Sequence, residues 1–300
     1  MKRAIITGAT GALGTALIDN LISNGIEVLV LLREGSIRND VIKNHPLVQT
    51  KLCSLENLKI LKNDTGKVYD VFYHFAWAGT FGDFRNDMYL QNQNVKYALD
   101  AVSAAKEFGC KMFIGAGSQA EYGRVEGILT PSTPAFPENG YGFAKLCAGH
   151  MTNEYAHQLG LQHIWVRILS IYGPHDGDQT MVMSTIAKLK NGEKANFTKG
   201  EQLWDYLYSG DAAEAFRLIG QNGKDGKIYV LGSGTAKPLK EYIGIIGQKL
   251  NAQNLINLGI MPYSNKQVMH LCADITDLTY DTGWLPKIEF EEGIEKILSL

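Results

Sequence analysis

The chain has no apolar run long enough to span a bilayer, and its apolar start, Ala4 to Ile6, is too short for a signal peptide. It has little cysteine. Cys53, Cys110, Cys147 and Cys272 are scattered with no C-x-x-C pair, which argues against a disulfide framework and a zinc site and for free thiols in a reducing cytoplasm. Charge of one sign is also lacking: 29 Lys and Arg face 31 Asp and Glu, a net charge of −2, which argues against nucleic acid as a partner. His150, His157 and His175 lack metal-ligand spacing with carboxylates, so no metal is expected. What is present is 300 residues with 45 % hydrophobic content, enough for one large α/β domain or one and a half.

The first half alternates two kinds of pattern. Short apolar runs at Ala4–Ile6, Val28–Leu32, Val71–Phe75, Met112–Ile114 and Ile164–Ile168 read as buried parallel strands, with a weaker one at Val48–Leu52. Between them the spacing predicts helices over Gly14–Ser23, Asn92–Phe108 and Tyr141–Gln158. Such alternation implies right-handed crossovers and a doubly wound parallel sheet, with ligands at the carboxyl ends of its strands. After Gly173-Pro174 the rhythm changes to helical stretches, Met181–Leu189, Asp211–Ile219 and Leu239–Leu250, separated by Gly- and Asn-rich loops. Residues 1–173 therefore read as the sheet domain. Residues 174–300 read as a smaller, mainly helical lobe interleaved with it, from which residues 227–231 return as a further strand, and a last helix is expected over Phe290–Leu298.

Two constellations carry chemistry. Gly8-Ala9-Thr10-Gly11-Ala12-Leu13-Gly14 lies between the first strand and the first helix. Its glycines allow a sharp turn and close approach of backbone to a pyrophosphate, and the helix then offers free N–H groups and a partial positive charge. Far downstream, Tyr141 and Lys145 stand four apart on one helix face, with Ser118 before them past a strand. An ammonium beside a phenol lowers its pKa from about 10 toward neutrality, and such a tyrosine can exchange a proton with a carbinol or carbonyl oxygen that Ser118 also binds. A Tyr-x-x-x-Lys pair alone recurs by accident on helix surfaces. In sheet order with the glycine turn and Ser118, it reads as a dinucleotide-dependent oxidoreductase site.

These residues resemble the extended short-chain dehydrogenase/reductase family of nucleotide-sugar epimerases, dehydratases and reductases. Gly8, Gly11 and Gly14 match its cofactor turn, and His74-Phe75-Ala76-Trp77-Ala78 the stretch beside the cofactor. Asn94 matches a structural asparagine of the following helix, and Gly117 to Gly123 the serine strand end. Arg167 to Pro174 match the passage into the sugar lobe. Asp205 to Asp211 and Gly283-Trp284-Leu285-Pro286 match its later motifs. The resemblance implies a Rossmann sheet and a homodimer formed through the second and third long helices. It implies Ser118, Tyr141 and Lys145 as catalytic residues. Cofactor contacts are expected from Gly8, Thr10, Gly11, Ala12, Leu13, Gly14, Arg33, Ser36, Phe75, Ala76, Trp77, Asn94, Tyr141, Lys145 and Ile168. Substrate contacts are expected from Thr80, Phe81, Ser118, Gln119, Ala120, Ser170 and Trp204; lid packing is the alternative reading of Trp77, Thr80, Phe81 and Phe84, and Trp204 reads equally as core.

The departures narrow the expectation. The family's 4,6-dehydratases carry Asp-Glu directly after the catalytic Ser or Thr; here Gln119 and Ala120 stand there, so dehydration is set aside. The acid expected at the end of the second strand is replaced by Leu31-Leu32-Arg33, with Ser36 and Arg38 close behind. A guanidinium there suits the 2′-phosphate of NADP, so NADP(H) is favoured and NAD(H) kept open. Trp204 and Ser264 replace arginines that many members place on the substrate diphosphate. The resulting expectation is reduction of a nucleotide-linked 4-keto-6-deoxyhexose at C4, with a C4 epimerase as the alternative and a non-catalytic dinucleotide sensor as the reading from another class.

Overall fold

The computed structural model describes residues 1–299. Its centre is a sheet of seven parallel strands in the order β7-β6-β5-β4-β1-β2-β3. These are β1 (Arg3–Thr7), β2 (Glu27–Leu32), β3 (Val48–Leu52), β4 (Val71–His74), β5 (Met112–Ser118), β6 (Gln162–Ile168) and β7 (Ile228–Leu231). The order reverses between β1 and β4, which opens a crevice at their carboxyl ends.

The apolar runs become strands because both faces of the sheet are covered. Successive side chains of β1 point to opposite faces. Ala4 and Ile6 join Leu17 and Leu21 of α1 (Ala12–Ser23) and Phe216 of α5 (Ser209–Asn222) in one core. Ile5 instead joins Ala101 and Ala105 of α2 (Met88–Glu107) and Ala156 of α3 (Gly140–Gln158) in another. β5 runs four residues further than Met112–Ile114 predicts. Gly115-Ala116-Gly117-Ser118 has little strand propensity, but pairing with β6 continues to Ser118↔Ile168. α2 starts at Met88 rather than Asn92, because Asp87 caps it by accepting a hydrogen bond from the Leu90 N–H.

The second half returns to the sheet twice. α5 packs beside α1 and β7 pairs with β6, so the chain beyond residue 173 interleaves with the sheet. α4 (Met181–Lys190), α6 (Leu239–Lys249) and α8 (Phe290–Leu298) enclose a separate aromatic core. There Phe290 lies 4.6 Å from Tyr242 and 4.7 Å from Tyr172, ring centre to ring centre. This lobe is less helical than expected. Three two-stranded pairs run through it, among them Ser170–Tyr172 beside Tyr206–Tyr208 and Leu203–Trp204 beside Lys237–Pro238. A short helix, α7 (Thr276–Thr282), was not expected. Asp205 and Asp211, in the later motifs, are buried braces. Asp205 accepts from the N–H groups of Ser233, Gly234 and Ala273, and Asp211 from those of Lys287 and Ile288. No described helix is long and apolar enough to cross a membrane.

Candidate active site

Two adjoining cavities of about 390 and 330 Å3 occupy the crevice and share Gly8, Gly11, Phe75, Trp77 and Thr80. The glycine turn forms their floor, and its three glycines are fixed by different neighbours. Gly8 has φ +69°, and a Cβ there would stand 2.5 Å from the Ala76 nitrogen. Gly14 sits in the first turn of α1, where a Cβ would stand 2.5 Å from the Gly8 carbonyl oxygen. Gly11, at the helix N-cap, is different: its φ is −92° and a Cβ would meet no chain atom within 4 Å. Nothing in the chain demands glycine at position 11, whereas a phosphate approaching the helix N-terminus would. The cradle therefore fits a dinucleotide.

The outer cavity takes Thr10, Arg33 and Ser36, with Cys53 and Ser54 beside them. Arg33 is exposed. Arg38 makes a strap, donating to the Thr10 carbonyl at 2.9 Å and to the His175 carbonyl at 2.7 Å, and so links the glycine turn to the lobe. Phe75, Ala76 and Trp77 leave the end of β4 along the crevice. Thr7 supports them, its hydroxyl accepting from the Ala76 N–H at 3.3 Å and bonding His74 Nδ1 at 2.9 Å. His74 is buried and its Nε2 has no partner among the described residues. Burial, then the Lys145 charge, holds it neutral, its pKa down at about 3.

The inner cavity brings together Ser118, Tyr141 and Lys145 with Ala12, Leu13, Gly14 and Ile168. Ser118 ends β5, and its hydroxyl caps the single turn Gln119–Glu121 by accepting from the Ala120 N–H at 3.2 Å. Tyr141 enters from the first turn of α3, whose start Asn139 caps. Lys145 follows one turn later and is buried.

The electrostatics differ from the expected ammonium–phenol pair. Lys145 Nζ donates to the Ala116 carbonyl at 2.6 Å and lies 3.8 Å from the Trp77 ring centre, but 5.7 Å from that of Tyr141. Burial pushes Lys145 down to about 7, against the pull of Glu121. The Tyr141 phenol is raised rather than lowered, chiefly by burial and slightly by Glu121. Ser118 and Arg85 act in the opposite direction.

Several expected contacts lie elsewhere. Asn94 is buried behind the crevice, its amide spent on the Ala78 N–H and carbonyl. Gln91, three residues earlier on the same helix face, accepts from the Trp77 indole at 2.8 Å and donates to the Gly79 and Phe84 carbonyls. Together they brace the chain leaving β4. Gln119 and Ala120 do not line the inner cavity; their tight turn buries Ala120 against Gly142. Ser170 and Trp204 face each other, the indole donating to Ser170 Oγ at 2.8 Å, and neither lines that cavity. Thr80 lines both cavities. Phe81 is half exposed, its ring reaching toward Gly177 of the lobe.

Three residues near the chemistry escaped the sequence reading. Glu121 is buried under Ser118 and accepts from the Ser118 N–H at 2.8 Å, the Trp165 indole at 3.0 Å and the Arg167 guanidinium at 2.8 Å. Arg85 stacks on Tyr141, its guanidinium carbon 4.3 Å from the ring centre. Asp176 lines the inner cavity from the lobe side. One oxygen accepts from the Gly177 N–H, the other is buried without a partner, and burial raises its pKa. Only Glu121 left a sequence signal, an acid three residues after a serine, the spacing of a capping box.

A family model described as NAD dependent epimerase/dehydratase family matches residues 4–232. Human dTDP-D-glucose 4,6-dehydratase is 25 % identical, over 99 % of this chain and 89 % of that protein. The dTDP-6-deoxy-L-talose 4-dehydrogenase (NAD(+)) of Aggregatibacter actinomycetemcomitans is 27 % identical over 68 % of this chain and 74 % of its own. The solved UDP-glucose 4-epimerase of Thermotoga maritima, with UDP-glucose, superposes with a TM-score of 0.86 over 99 % of this chain and 97 % of that one, at 20 % identity. Other structures of the same fold, dehydratase and epimerase alike, hold NAD.

Proposed function

Because this chain belongs to the NAD dependent epimerase/dehydratase family, and so is an enzyme of the extended short-chain dehydrogenase/reductase type among nucleotide-sugar dehydratases, epimerases and reductases, we propose that it reduces a nucleotide-linked 4-keto-6-deoxyhexose at C4. One observation carries this reading: Ser118, Tyr141 and Lys145 line the same cavity as the glycine turn. A bound reduced nicotinamide supplies the hydride. Gly8, Thr10, Gly11, Ala12, Leu13 and Gly14 hold the dinucleotide beside Phe75, Ala76, Trp77 and Ile168. Ser118 holds the sugar oxygen, Tyr141 gives it a proton, and Lys145 orients the cofactor. Thr80 and Phe81 border the sugar. The half-buried carboxyl of Asp176 does not replace a dehydratase's Asp-Glu pair, because it comes from the opposite wall and not from the turn after Ser118. A relative named as a 4-dehydrogenase of a 6-deoxy-talose nucleotide supports redox chemistry at that carbon.

NADP(H) is the cofactor we favour, since Arg33, Ser36 and Arg38 gather at the outer cavity and the end of β2 carries no acid. A second reading, C4 epimerisation, draws on the Arg38 strap, because a strapped cofactor exchanges slowly and an epimerase recycles its own. We further propose a homodimer through the outer faces of α2 and α3, where Met88, Tyr89, Phe143 and Met151 are exposed; light scattering tests it.

The deciding assay offers a 4-keto nucleotide sugar with NADPH or NADH. One cofactor oxidised per sugar is the expected result, faster with NADPH. Interconversion of two epimers without net oxidation overturns reduction in favour of epimerisation. Tyr141→Phe is expected to lower turnover by about 10²–10⁴-fold while cofactor still raises the melting temperature. Unchanged signalling or binding with no turnover in either form would instead identify a sensor.

A further inference from the structure

We propose that Arg85 is the cation that sets the acidity of the Tyr141 phenol, a positioning residue supplied by the loop after β4 in the place the sequence pattern gives to Lys145. The proposal rests on the reading of Tyr141 as proton donor. The guanidinium lies over the ring face at 4.3 Å, and among the described residues it bonds the Thr80 carbonyl at 3.0 Å. Ionisation of the phenol spreads negative charge into the ring, so a cation on that face gains more from the phenolate than from the phenol.

The loop is fixed well enough to make this contact durable. Gln91 holds the Gly79 and Phe84 carbonyls. Asn86 accepts from the Gly140 N–H at 3.1 Å, at the residue before Tyr141. Arg85 and Tyr141 are therefore tied by a short circuit from the loop to the start of α3.

The other charges facing the phenol do less. Lys145, on the same helix, is turned onto Ala116 and Trp77, and burial disfavours its charged form. A guanidinium keeps its charge throughout the working range. Glu121, from the turn after β5, opposes ionisation, but its charge is paired with Arg167. Asp176 looks in from the lobe with a carboxyl that burial pushes toward neutrality, and His74, behind Lys145, is uncharged. The acidity of Tyr141 then depends on the loop over residues 79–87, which holds the guanidinium over the ring.

The test places 3,5-difluorotyrosine at position 141 alone, in the full chain, and follows its fluorine resonance against pH. This phenol ionises where the chain stays folded. Arg85→Ala is expected to raise the midpoint by about one pH unit, the effect of a half-screened charge at this distance. Arg85→Lys should recover part of the shift, and Lys145→Met should move the midpoint less than Arg85→Ala does. An unmoved midpoint in Arg85→Ala overturns the proposal, as does a larger shift in Lys145→Met. Circular dichroism checks each fold; if Arg85→Ala is disturbed, Arg85→Gln, which keeps an N–H for Thr80, is read by the same criteria. A midpoint that moves in a chain inert toward every nucleotide sugar would overturn the proposed reaction and leave Arg85 in place. Turnover with an unmoved midpoint would overturn Arg85 alone.

Discussion

The sheet wall of the crevice and the lobe wall facing it are held by different means. On the sheet wall the shape comes from backbone. Gly8 and Gly14 nest against Ala76 and Gly8 at distances no side chain could enter, and the strands behind them are hydrogen-bonded along their length. On the lobe side the contacts come from side chains: Arg38 on the His175 carbonyl, Phe81 toward Gly177 and, outside the cavities, Trp204 on Ser170. A wall made of backbone constrains residue type position by position. A wall held by side chains can be rebuilt by changing those side chains, so it is free to vary with the substrate.

That contrast breaks first at Glu121, where the sheet wall does rely on side chains. Glu121 and Arg167 form the most deeply buried ion pair among the described residues, at 1 % and 4 % exposure. Glu121→Gln leaves the guanidinium buried without a counter-charge, expected to cost about 3–5 kcal/mol. For a chain of this size that lowers the melting temperature by about 5–8 °C. Adding Arg167→Met should restore much of the loss. Calorimetry decides, and a loss under about 1 kcal/mol would mean the pair is solvated in solution.

The glycine turn sharpens the contrast within one wall. Gly8→Ala forces a Cβ onto the Ala76 backbone at φ +69°, and strain plus overpacking should cost about 3 kcal/mol and abolish cofactor binding. Gly11→Ser adds a Cβ that meets nothing in the chain and a good N-cap, so the melting temperature should hold. The same Cβ projects where the phosphate would lie, and affinity for the dinucleotide, read by calorimetric titration, should fall at least about tenfold. Equal losses of stability in both variants would erase the distinction between glycines the fold needs and the glycine a ligand needs.

The difference between walls also explains what could be read from the sequence. Gly8, Gly11, Gly14, Ser118, Tyr141 and Lys145 meet because each sits at the end of an element whose place the sheet order dictates. Strands buried on both faces left continuous apolar runs, and the one weak run, Val48–Leu52, proved to be the exposed sheet edge. The misses lie where a short turn decides direction. A single turn after Ser118 withdraws Gln119 and Ala120 from the cavity, and another at Gly82–Asn86 delivers Arg85 onto Tyr141. Asn94 matches a structural asparagine and behaves as one, its amide bonding the Ala78 N–H and carbonyl. Spacing placed Lys145 beside the phenol but did not foresee the Ala116 carbonyl, which competes for its ammonium.

The smallest effect is expected on the lobe wall itself. Trp204 spends its indole N–H on Ser170 and packs between two apolar clusters. Trp204→Phe keeps most of the packing and removes one neutral hydrogen bond, a cost of about 1 kcal/mol. If the indole holds the lobe together and nothing more, stability should slip by that amount while KM for the nucleotide sugar stays within about twofold, because no contact to a ligand has been lost. A KM raised tenfold with the melting temperature unmoved would reverse the assignment. It would put Trp204 on the substrate and make the Ser170 bond the resting position of a side chain that turns when the sugar arrives. Ser170→Ala separates the two cases further: it frees the indole without shortening it, so a purely structural pair should lose the same small amount of stability in either variant.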